Sequence, residues 1–512
     1  MVVVAAAFRL VDLNGKPMHG DEANQAYKAG VLYDTGVYEY DPHEHHGPTL
    51  YFGTLPFLKY AGNSSVDADA QTYRVLPALF GIGLVAILVL LKDAIGPWPA
   101  VWSAALTAMS PALTYYSRYY IQEVLLVFFT LMALASAWRY CHRPNWGWAV
   151  LTGVAVGLMH ATKETCLLSF AAMAGGAAMT WVWGRAVRSR GQSEQTRQGD
   201  ERRPPLALSH VTAAGLAAVL VSVLLFTSFF THARGPLDSV LTYATYLNRA
   251  GGEGSAALHD KPWYYYLQLL AFTKRAPGPW WSEGLILTLA VTGSVATLCK
   301  RGDYPALKFQ RLLVFYTILL TAAYCLIAYK TPWSMLSFYH GMILLAGIGA
   351  ATLAGLFKHR MAQAIVVLFI GSGVVQLGAQ NYRASFEYAA DVRNPYVYAH
   401  TSTAFMRLPQ RMLDLAAVHS NGTRMRILVI AANNDYWPLP WYLRAFENTG
   451  YFGEMPQALD ADVIIASPPF NVDIGRMAGD EYQSEVHGLR PKVLLQVFIR
   501  RPLWNAFMET RK

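Results

Sequence analysis

Long blocks of apolar residues are the feature that most restricts the fold of this chain. Each block is about 20 residues long, which is the length that an α-helix needs to cross roughly 30 Å of hydrocarbon. Hydrophobic residues make up 54% of the 512-residue chain and charged residues only 15%. We therefore expect a mainly α, polytopic transmembrane helix bundle. The predicted spans are residues 73–92, 97–116, 119–139, 146–161, 165–184, 210–231, 282–299, 312–329, 334–356 and 361–380.

A shorter apolar segment opens the chain. Met1–Leu13 contains Arg9 and falls well below the length of about 20 residues that a full span requires. We expect a first helix truncated by a late start, which gives about 11 spans in all. N-terminal sequencing of the native protein tests this expectation, because a genuine Met1 would indicate a tilted or half-inserted helix.

Basic residues concentrate in short loops between the apolar blocks. The formal net charge of +9 is typical of nucleic-acid binding proteins, but this placement follows the positive-inside rule instead. With a cytoplasmic N-terminus, the basic loops 184–205, 300–311 and 358–360 all lie inside. Loops 14–72 and 232–281 and everything after Gln380 then lie outside, and no nucleic-acid partner is expected.

The first outer loop begins with two adjacent carboxylates, Asp21 and Glu22, in the stretch MHGDEANQAYKAG. Carboxylates are favourable at a helix N-terminus, so helix capping is the simpler interpretation. The later segment Asp41–Gly62 places a His/Glu-rich turn before an aromatic stretch that is suited to the headgroup layer. A loop that returns to the interface in this way can hold an acid level with a lipid phosphate.

Three basic residues oppose the positive-inside trend because they lie at outer helix ends: Arg118, Lys163 and Lys330. Snorkelling of single side chains is the simpler explanation for each. All three nevertheless fall on the same side as Asp21, and two further carboxylates, Glu123 and Glu164, lie close to them in the sequence. Cations near an acidic pair are suited to hold a phosphate while a carboxylate deprotonates a hydroxyl.

The turn at residues 43–46 contains three histidines and a glutamate: His43, Glu44, His45 and His46. Imidazole and carboxylate suit zinc or manganese. Their spacing matches no rigid ligand set, so surface histidines that form hydrogen bonds are the favoured interpretation. The sequence therefore predicts no specific cofactor, and a bound divalent metal stays an open alternative.

These motifs resemble the GT-C superfamily of integral-membrane glycosyltransferases, in the branch of the protein O-mannosyltransferases and the aminoarabinose transferases of lipid A. HGDE followed by HGPTLYF is similar to that branch's acidic motif and its His-Pro-Pro-Leu-Tyr segment, although Gly47 replaces the first proline and Thr49 intervenes. SRYYIQEVLLVFF, ATKETCLLSF, KPWYYYLQLL and YKTPW resemble further motifs in the same order. Prokaryotic flippase-activity-associated membrane proteins share YKTPW and the late DYWPLPWYLR (Asp435–Arg444).

The resemblance implies transfer of a sugar, hexose or pentose, from a polyprenyl-phosphate donor to an acceptor outside a prokaryotic plasma membrane. The acceptor is a protein, a lipid or a glycan. Asp21 would be the general base of an inverting reaction, with Glu22 as the second catalytic carboxylate. The residues expected to bind substrate are His46, Arg118, Glu123, Lys163, Glu164, Lys330 and Tyr264. The chain has no glycine-rich phosphate loop of the Walker or Rossmann type for a nucleotide sugar.

The composition changes after residue 380, so we divide the chain into a membrane domain, 1–380, and an extracytoplasmic domain, 381–512. The β-branched runs Arg424–Asn433, Ala461–Pro468 and Lys492–Arg500 predict strands, and Thr401–His419 predicts a helix. This pattern indicates a small α/β domain. Its aromatic segment DYWPLPWYLR either lines a substrate groove or packs the domain, and packing is the simpler interpretation.

Two other functions fit a polytopic chain with charges at its helix ends. A flippase or transporter of lipid-linked sugars is one, although such proteins favour paired repeats with interrupted helices, and no convincing repeat is present. A non-catalytic accessory membrane protein is the other, and it would need no acid-base group. Glycosyl transfer remains the preferred hypothesis.

Overall fold

The computed structural model describes residues 1–43, 46–189, 207–250 and 259–511. The α-helices of this part are α1 (Val2–Leu10), α2 (Gly20–Thr35), α3 (Thr49–Ala61), α4 (Ala70–Ile87), α5 (Lys92–Ile95), α6 (Pro97–Met109), α7 (Pro111–Ser117), α8 (Glu123–His142), α9 (Trp146–His160), α10 (Cys166–Ser189), α11 (Leu208–Phe226), α12 (Gly235–Ala250), α13 (Tyr265–Ala271), α14 (Gly284–Cys299), α15 (Pro305–Leu326), α16 (Leu336–Gly355), α17 (Arg360–Tyr382), α18 (Arg407–Val418), α19 (Leu439–Tyr442), α20 (Pro468–Ala478) and α21 (Arg501–Glu509). The strands are β1 (Thr273–Lys274), β2 (Trp280–Trp281), β3 (Ile427–Ile430), β4 (Thr449–Phe452), β5 (Val463–Ala466), β6 (Tyr482–Arg490) and β7 (Val493–Arg500).

All ten predicted spans coincide with helices. Within the described ranges, seven helices are long and apolar enough to cross a membrane: Ala70–Ile95, Glu123–His142, Cys166–Ala186, Leu208–Phe226, Pro305–Leu326, Pro332–Gly355 and Arg360–Glu387. Two shorter apolar helices are Trp146–His160 and Gly284–Cys299. The mainly α membrane fold is confirmed, whereas the number of crossings stays a prediction.

The predicted span 97–116 is broken into two helices. Helix α6 ends at Met109, and α7 begins at Pro111, whose ring cannot continue a helix from the preceding turn. The Ser110 hydroxyl caps α7 by accepting a hydrogen bond from the backbone N–H of Leu113 at 3.3 Å. The break turns α7 away from α6.

Helix α1 spans nine residues and is held by one buried cation. The Arg9 guanidinium donates to the carbonyls of Thr107 at 2.9 Å and Ala108 at 3.3 Å, near the end of α6. Its side chain is fully buried. Arg9, which made Met1–Leu13 look unsuited to a span, therefore anchors the first helix to the bundle.

Glycines allow two pairs of membrane helices to approach closely. A Cβ at Gly293 of α14 would lie 2.0 Å from the carbonyl oxygen of Leu345, and one at Gly349 of α16 would lie 2.0 Å from that of Leu289. The same arrangement joins α9 to α11, where a Cβ at Gly153 would lie 2.0 Å from the carbonyl oxygen of Ala214. Small residues at helix contacts are a common source of close packing in membrane proteins.

The C-terminal domain contains a five-stranded sheet in the order β4-β3-β5-β7-β6. Strands β4, β3 and β5 are parallel, whereas β7 is antiparallel to both β5 and β6. Helices α18 and α21 cover one face, with Leu408 and Phe507 buried against the sheet. The three predicted strands and the predicted helix are present, and the small α/β domain is confirmed.

We predict that Gly293→Ala lowers the thermal stability of the purified protein by about 1 to 3 kcal/mol, because the new methyl group overlaps the carbonyl of Leu345. Gly371→Ala is the matched control, since no atom lies within 4 Å of a Cβ added at that position of α17. Thermal unfolding in detergent, followed by intrinsic fluorescence, gives the unfolding midpoint of each variant. Equal midpoints for the two variants would contradict the close α14–α16 contact.

Candidate functional site

The first outer loop folds into a capped helix that presents the predicted acidic pair. His19 is the N-cap of α2, and its Nδ1 accepts the backbone N–H of Asp21 at 3.0 Å. In the other direction, the Glu22 carboxylate accepts a hydrogen bond from the backbone N–H of His19 at 3.0 Å. This reciprocal capping box fixes the helix start, so the capping interpretation of Glu22 is confirmed.

Glu22 is also one half of a fully buried ion pair. The Arg74 guanidinium of α4 donates to its two carboxylate oxygens at 2.7 and 2.8 Å, and the backbone N–H of Tyr120 donates at 3.0 Å. Burial opposes the charge of Glu22, but Arg74 and Lys16 outweigh that effect and hold the pKa of the carboxyl well below its usual range. Protein partners therefore occupy both oxygens of Glu22.

Asp21 has a different environment, although it is the adjacent residue. Its side chain is exposed at the first turn of α2. Its negative charge acts on His259, Tyr398 and Arg490, which come from three separate segments of the chain. The structure thus places one accessible carboxylate among an imidazole, a phenol and a guanidinium.

Two of these neighbours are joined to each other and to the helix cap. The Tyr398 hydroxyl and His259 Nδ1 lie 2.8 Å apart, and the Tyr398 carbonyl accepts from His19 Nε2 at 3.0 Å. Burial lowers the pKa of His259, with the charge of Asp21 acting in the opposite direction. Burial likewise raises the pKa of Tyr398 to about 12. Both groups are therefore neutral hydrogen-bonding partners near neutral pH.

Lys330 reaches this region through the backbone. Its N–H donates to the carbonyl of His259 at 3.0 Å, and an isolated bridge pairs Asp260 with Tyr329. The Lys330 ammonium is buried, donates to the Lys261 carbonyl at 3.0 Å and also contacts the Ile327 carbonyl. Burial lowers its pKa. The segments HDKPW and YKTPW, distant in sequence, thus meet beside Asp21.

Four other predicted residues form two buried contacts. The Lys163 ammonium contacts one oxygen of Glu123, whose other oxygen is buried without a hydrogen-bond partner among the described residues. Beside it, His46 Nδ1 and Glu164 Oε2 lie 3.0 Å apart, and the Tyr40 hydroxyl donates to Glu164 Oε1 at 3.3 Å. Charge attraction to Glu123 raises the pKa of Lys163 against the effect of burial, so Lys163 keeps its positive charge.

Two amides connect this second group to the helix that carries Asp21. Gln25 lies one turn after Asp21 on α2, and its side-chain carbonyl accepts from Gln122 Nε2 at 3.0 Å. Gln122 immediately precedes Glu123. We call this set of polar side chains, from Asp21 and Gln25 on α2 through Gln122 to the Glu123–Lys163 pair, the polar strip.

Arg118 and Tyr264 are not brought into the strip. The Arg118 guanidinium donates to the carbonyls of Phe8, Val11 and Asp12 at 3.1, 2.5 and 2.7 Å, so it closes the C-terminal end of α1. Tyr264 is 46% exposed, and its ring lies edge-on to that of Trp263. Arg118 is therefore buried against α1 rather than snorkelling to a surface, and Tyr264 keeps an accessible ring apart from the strip.

The histidine-rich turn forms no metal cluster that can be described. Glu44 and His45 lie outside the described residues, while His43 Nδ1 lies 3.2 Å from the Thr245 hydroxyl. Across residues 1–43, 46–189, 207–250 and 259–511, no group of three or more His, Cys, Asp or Glu side chains is placed to hold a metal ion.

Sequence reasoning missed several residues of the site, namely His19, Arg74, His259, Tyr398 and Arg490. Arg74 had a usable signal, because an ionisable residue inside a predicted span usually has a buried partner. His259 lies just before the quoted KPWYYYLQLL motif. Nothing in the local sequence distinguishes Tyr398 or Arg490, since only the tertiary fold brings them to α2.

Two solved structures share the fold of this chain. ArnT from Cupriavidus metallidurans bound to undecaprenyl phosphate superposes with a TM-score of 0.62 at 13% identity, covering 97% of each chain. The Archaeoglobus fulgidus oligosaccharyltransferase, in a complex with Zn and sulfate, gives a TM-score of 0.51 at 11% identity, covering 96% of this chain and 72% of that one. The chain has the GT-C fold, and the resemblance to that superfamily is confirmed.

Sequence comparison narrows the likeness within this class. The model of the dolichyl-phosphate-mannose-protein mannosyltransferase family matches residues 20–235. Protein O-mannosyl-transferase 1 of Mus musculus is 28% identical over 221 residues, which are 39% of this chain and 27% of that protein. The Danio rerio protein of the same name is 26% identical over 208 residues, covering 38% and 26%. The chain thus spans about a quarter of the length of these relatives, and the finer likeness to flippase-activity-associated proteins stays a prediction.

We predict that Glu22→Gln destabilises the protein by about 3 to 5 kcal/mol, because it leaves the buried Arg74 charge without a counter-ion. Glu454→Gln, at an exposed position of the C-terminal domain, is the control. Thermal unfolding in detergent near neutral pH measures both. A similar midpoint for both variants would show that the pair is dispensable.

The same pair predicts a pH dependence of stability. The folded-state pKa of Glu22 is depressed, so its stabilising contribution is complete above the unfolded-state pKa of about 4.3 and is lost as the pH falls below it. We expect the unfolding midpoint of the wild type to drop more steeply than that of Glu22→Gln between about pH 5 and pH 3. Parallel curves would exclude Glu22 as the titrating group.

Proposed function

We propose that the chain is a membrane glycosyltransferase that transfers a sugar from a polyprenyl-phosphate donor to an acceptor hydroxyl on the extracytoplasmic face. The observation that carries the proposal is the exposed Asp21 carboxylate, which a buried ion pair fixes at a capped helix start. The family match begins at residue 20, the first residue of that helix. ArnT, which shares the fold, was crystallised with undecaprenyl phosphate.

Asp21 acts as the general base in this proposal. It accepts the proton of the acceptor hydroxyl while the hydroxyl oxygen attacks the anomeric carbon of the donor. The bond between that carbon and the phosphate oxygen breaks, and the lipid phosphate leaves with the bonding electrons. A single direct displacement inverts the anomeric centre, and an exposed carboxylate on a rigid helix start suits the proton transfer.

Buried cations of the site stabilise the charge that develops on the leaving phosphate. Lys330 is the nearest candidate because its backbone is bonded to His259, a neighbour of Asp21. An ammonium has three donors, so the two carbonyl contacts of Lys330 leave one N–H for a phosphate oxygen. Lys163 supplies a second positive charge further along the polar strip, and buried cations are effective there because little water screens them.

The remaining predicted residues receive supporting roles. Glu22 is a positioning residue rather than an acid-base group, because Arg74, Tyr120 and the helix cap occupy its oxygens. Arg118 is not assigned to the phosphate, because the carbonyls at the end of α1 already occupy its guanidinium. His46, Glu123 and Glu164 shape the polar strip, and Tyr264 lies at the interface where a lipid chain would approach.

The orientation and the substrates belong to the same proposal. With the N-terminus in the cytoplasm, the polar strip and the C-terminal domain lie outside a prokaryotic plasma membrane, where lipid-linked donors rather than nucleotide sugars are available. The acceptor is a protein, a lipid or a glycan. A donor series with hexose and pentose head groups, tested on membranes, separates the two sugar classes.

We expect Asp21→Asn to reduce sugar transfer by about 100-fold or more, because the amide keeps the size of the side chain but cannot accept the proton. The measurement is transfer of radiolabelled sugar from polyprenyl-phosphate donors in membranes with matched expression. Asp473→Asn, an exposed aspartate on α20, is the control and should retain full activity. Unchanged transfer by a folded Asp21→Asn protein would end the assignment. Movement of labelled lipid across the membrane without transfer would favour a flippase.

We also expect Lys330→Gln to lower the transfer rate by about 10-fold or more, because a neutral amide cannot compensate charge on the leaving phosphate. Lys274→Gln in β1 is the control, since that side chain is exposed. Initial rates at several donor concentrations give kcat and KM for each protein. If Lys330→Gln changes neither constant, the phosphate must bind elsewhere.

A further inference from the structure

The C-terminal domain places three side chains against the start of α2. Asp435 and Trp437 follow strand β3, and Arg490 is the last residue of β6. The Arg490 guanidinium contacts the Asp435 carboxylate and lies close enough to Asp21 for their charges to interact. A side chain added at Gly20 would lie 3.6 Å from Cβ of Trp437. The two domains thus meet at the residue proposed as the base.

Aromatic rings from both domains line the same junction. The ring centroids of Tyr27, on α2, and Trp437 lie 6.1 Å apart in an edge-to-face arrangement. The ring of Tyr436 lies 6.5 Å from that of Trp437 and 5.1 Å from that of Tyr451 on β4. Tyr27 is 45% exposed and Trp437 is half-buried, so both rings keep accessible surface.

The polar groups of the junction are open to solvent, unlike those of the ion pair beneath them. The side chains of Arg490 and Asp435 are 24% and 42% exposed, whereas those of Arg74 and Glu22 are 0% exposed. Open polar groups beside exposed aromatic rings are the composition of a ligand-binding cleft.

We propose that this junction is a subsite for a sugar ring, formed by Asp435, Arg490, Trp437 and Tyr27 beside Asp21. The inference rests on the proposed function and adds a role for the C-terminal domain. Carboxylate oxygens accept hydrogen bonds from ring hydroxyls, and the guanidinium donates to hydroxyl and ring oxygens. The aromatic rings cover the apolar C–H face of the sugar.

The charge of the junction favours a neutral ligand over a phosphate. Asp21 and Asp435 carry two negative charges and Arg490 carries one positive charge, so the three groups together are negative. A phosphate would be repelled, whereas hydroxyl groups match both the acceptors and the donor. The sugar ring belongs either to the donor or to a saccharide acceptor, and both sources present the same chemistry.

The test is saturation-transfer NMR on the full-length protein in detergent, with methyl glycosides of mannose, glucose, galactose and arabinose as probes. The variants are Asp435→Asn and Arg490→Gln. The controls are Asp460→Asn and Arg500→Gln, which alter a second Asp–Arg pair of the same domain, 2.5 Å apart and remote from α2. Thermal unfolding verifies that every variant is folded.

We expect at least one glycoside to bind the wild type and both controls and to bind each junction variant about tenfold more weakly, because one charged hydrogen-bonding partner is lost. Equal binding by wild type and junction variants would overturn the proposal. So would the absence of saturation transfer from all four probes.

A competition arm identifies the source of the sugar. Displacement of the glycoside by polyprenyl-phosphoryl mannose, but not by polyprenyl phosphate, assigns the subsite to the donor sugar. Glycoside binding that persists in the presence of both lipids assigns the subsite to the acceptor sugar. Glycoside binding without any sugar transfer would contradict the proposed function and leave the subsite intact. Sugar transfer without glycoside binding that depends on the junction residues would contradict the subsite and leave the proposed function intact.

Discussion

The buried contact between Glu22 and Arg74 is the interaction on which the loop between α1 and α4 depends. A guanidinium has five N–H donors, and all five of Arg74 are used: two bonds reach Glu22 and three reach the carbonyls of Leu13, Lys16 and Pro17. A charge inside an apolar helix is costly unless it is satisfied in this way. The helix α4 thereby determines both where the first loop leaves α1 and where α2 begins.

The same loop is the point at which the C-terminal domain docks. The backbone N–H of Met18 donates to the Tyr442 hydroxyl at 2.9 Å, and the Met18 carbonyl accepts from the Thr401 hydroxyl at 2.7 Å. The Arg444 guanidinium donates to the carbonyl of Ala68, just before α4, at 2.6 Å. A loop held from below by Arg74 and from above by the domain has little freedom. The junction beside Asp21 is therefore a built surface rather than a chance approach of two bodies.

The elements of the fold were largely predictable from sequence, because a membrane imposes long apolar runs and a sheet imposes short β-branched ones. The helices that coincide with the ten predicted spans and the strands β3, β5 and β7 follow directly from these periodicities. Strand β6 was missed because it lies at the edge of the sheet. Most of its residues are partly buried or exposed, so no apolar run marks it in the sequence. The break at Ser110 was missed because the apolar run continues through it, although Pro111 was a visible signal.

The site was predictable in its residue types but not in its partnerships. Asp21 was predicted from the adjacent acidic pair in the first loop, and Lys163 and Lys330 were predicted from basic residues that oppose the positive-inside trend. Which neighbour satisfies which charge depends on helix contacts between residues far apart in sequence. Arg118 illustrates this, because its guanidinium serves the carbonyls at the end of α1, a contact that no local pattern indicates.

The different environments of Asp21 and Glu22 agree with helix geometry. Consecutive residues on an α-helix point about 100° apart, so two adjacent carboxylates face different neighbours. Glu22 faces α4 and binds Arg74, whereas Asp21 faces solvent and the C-terminal domain. An adjacent acidic pair at a helix start thus produces one fixed charge and one accessible charge. In the proposed reaction, the fixed charge sets the position at which the accessible one meets the acceptor hydroxyl.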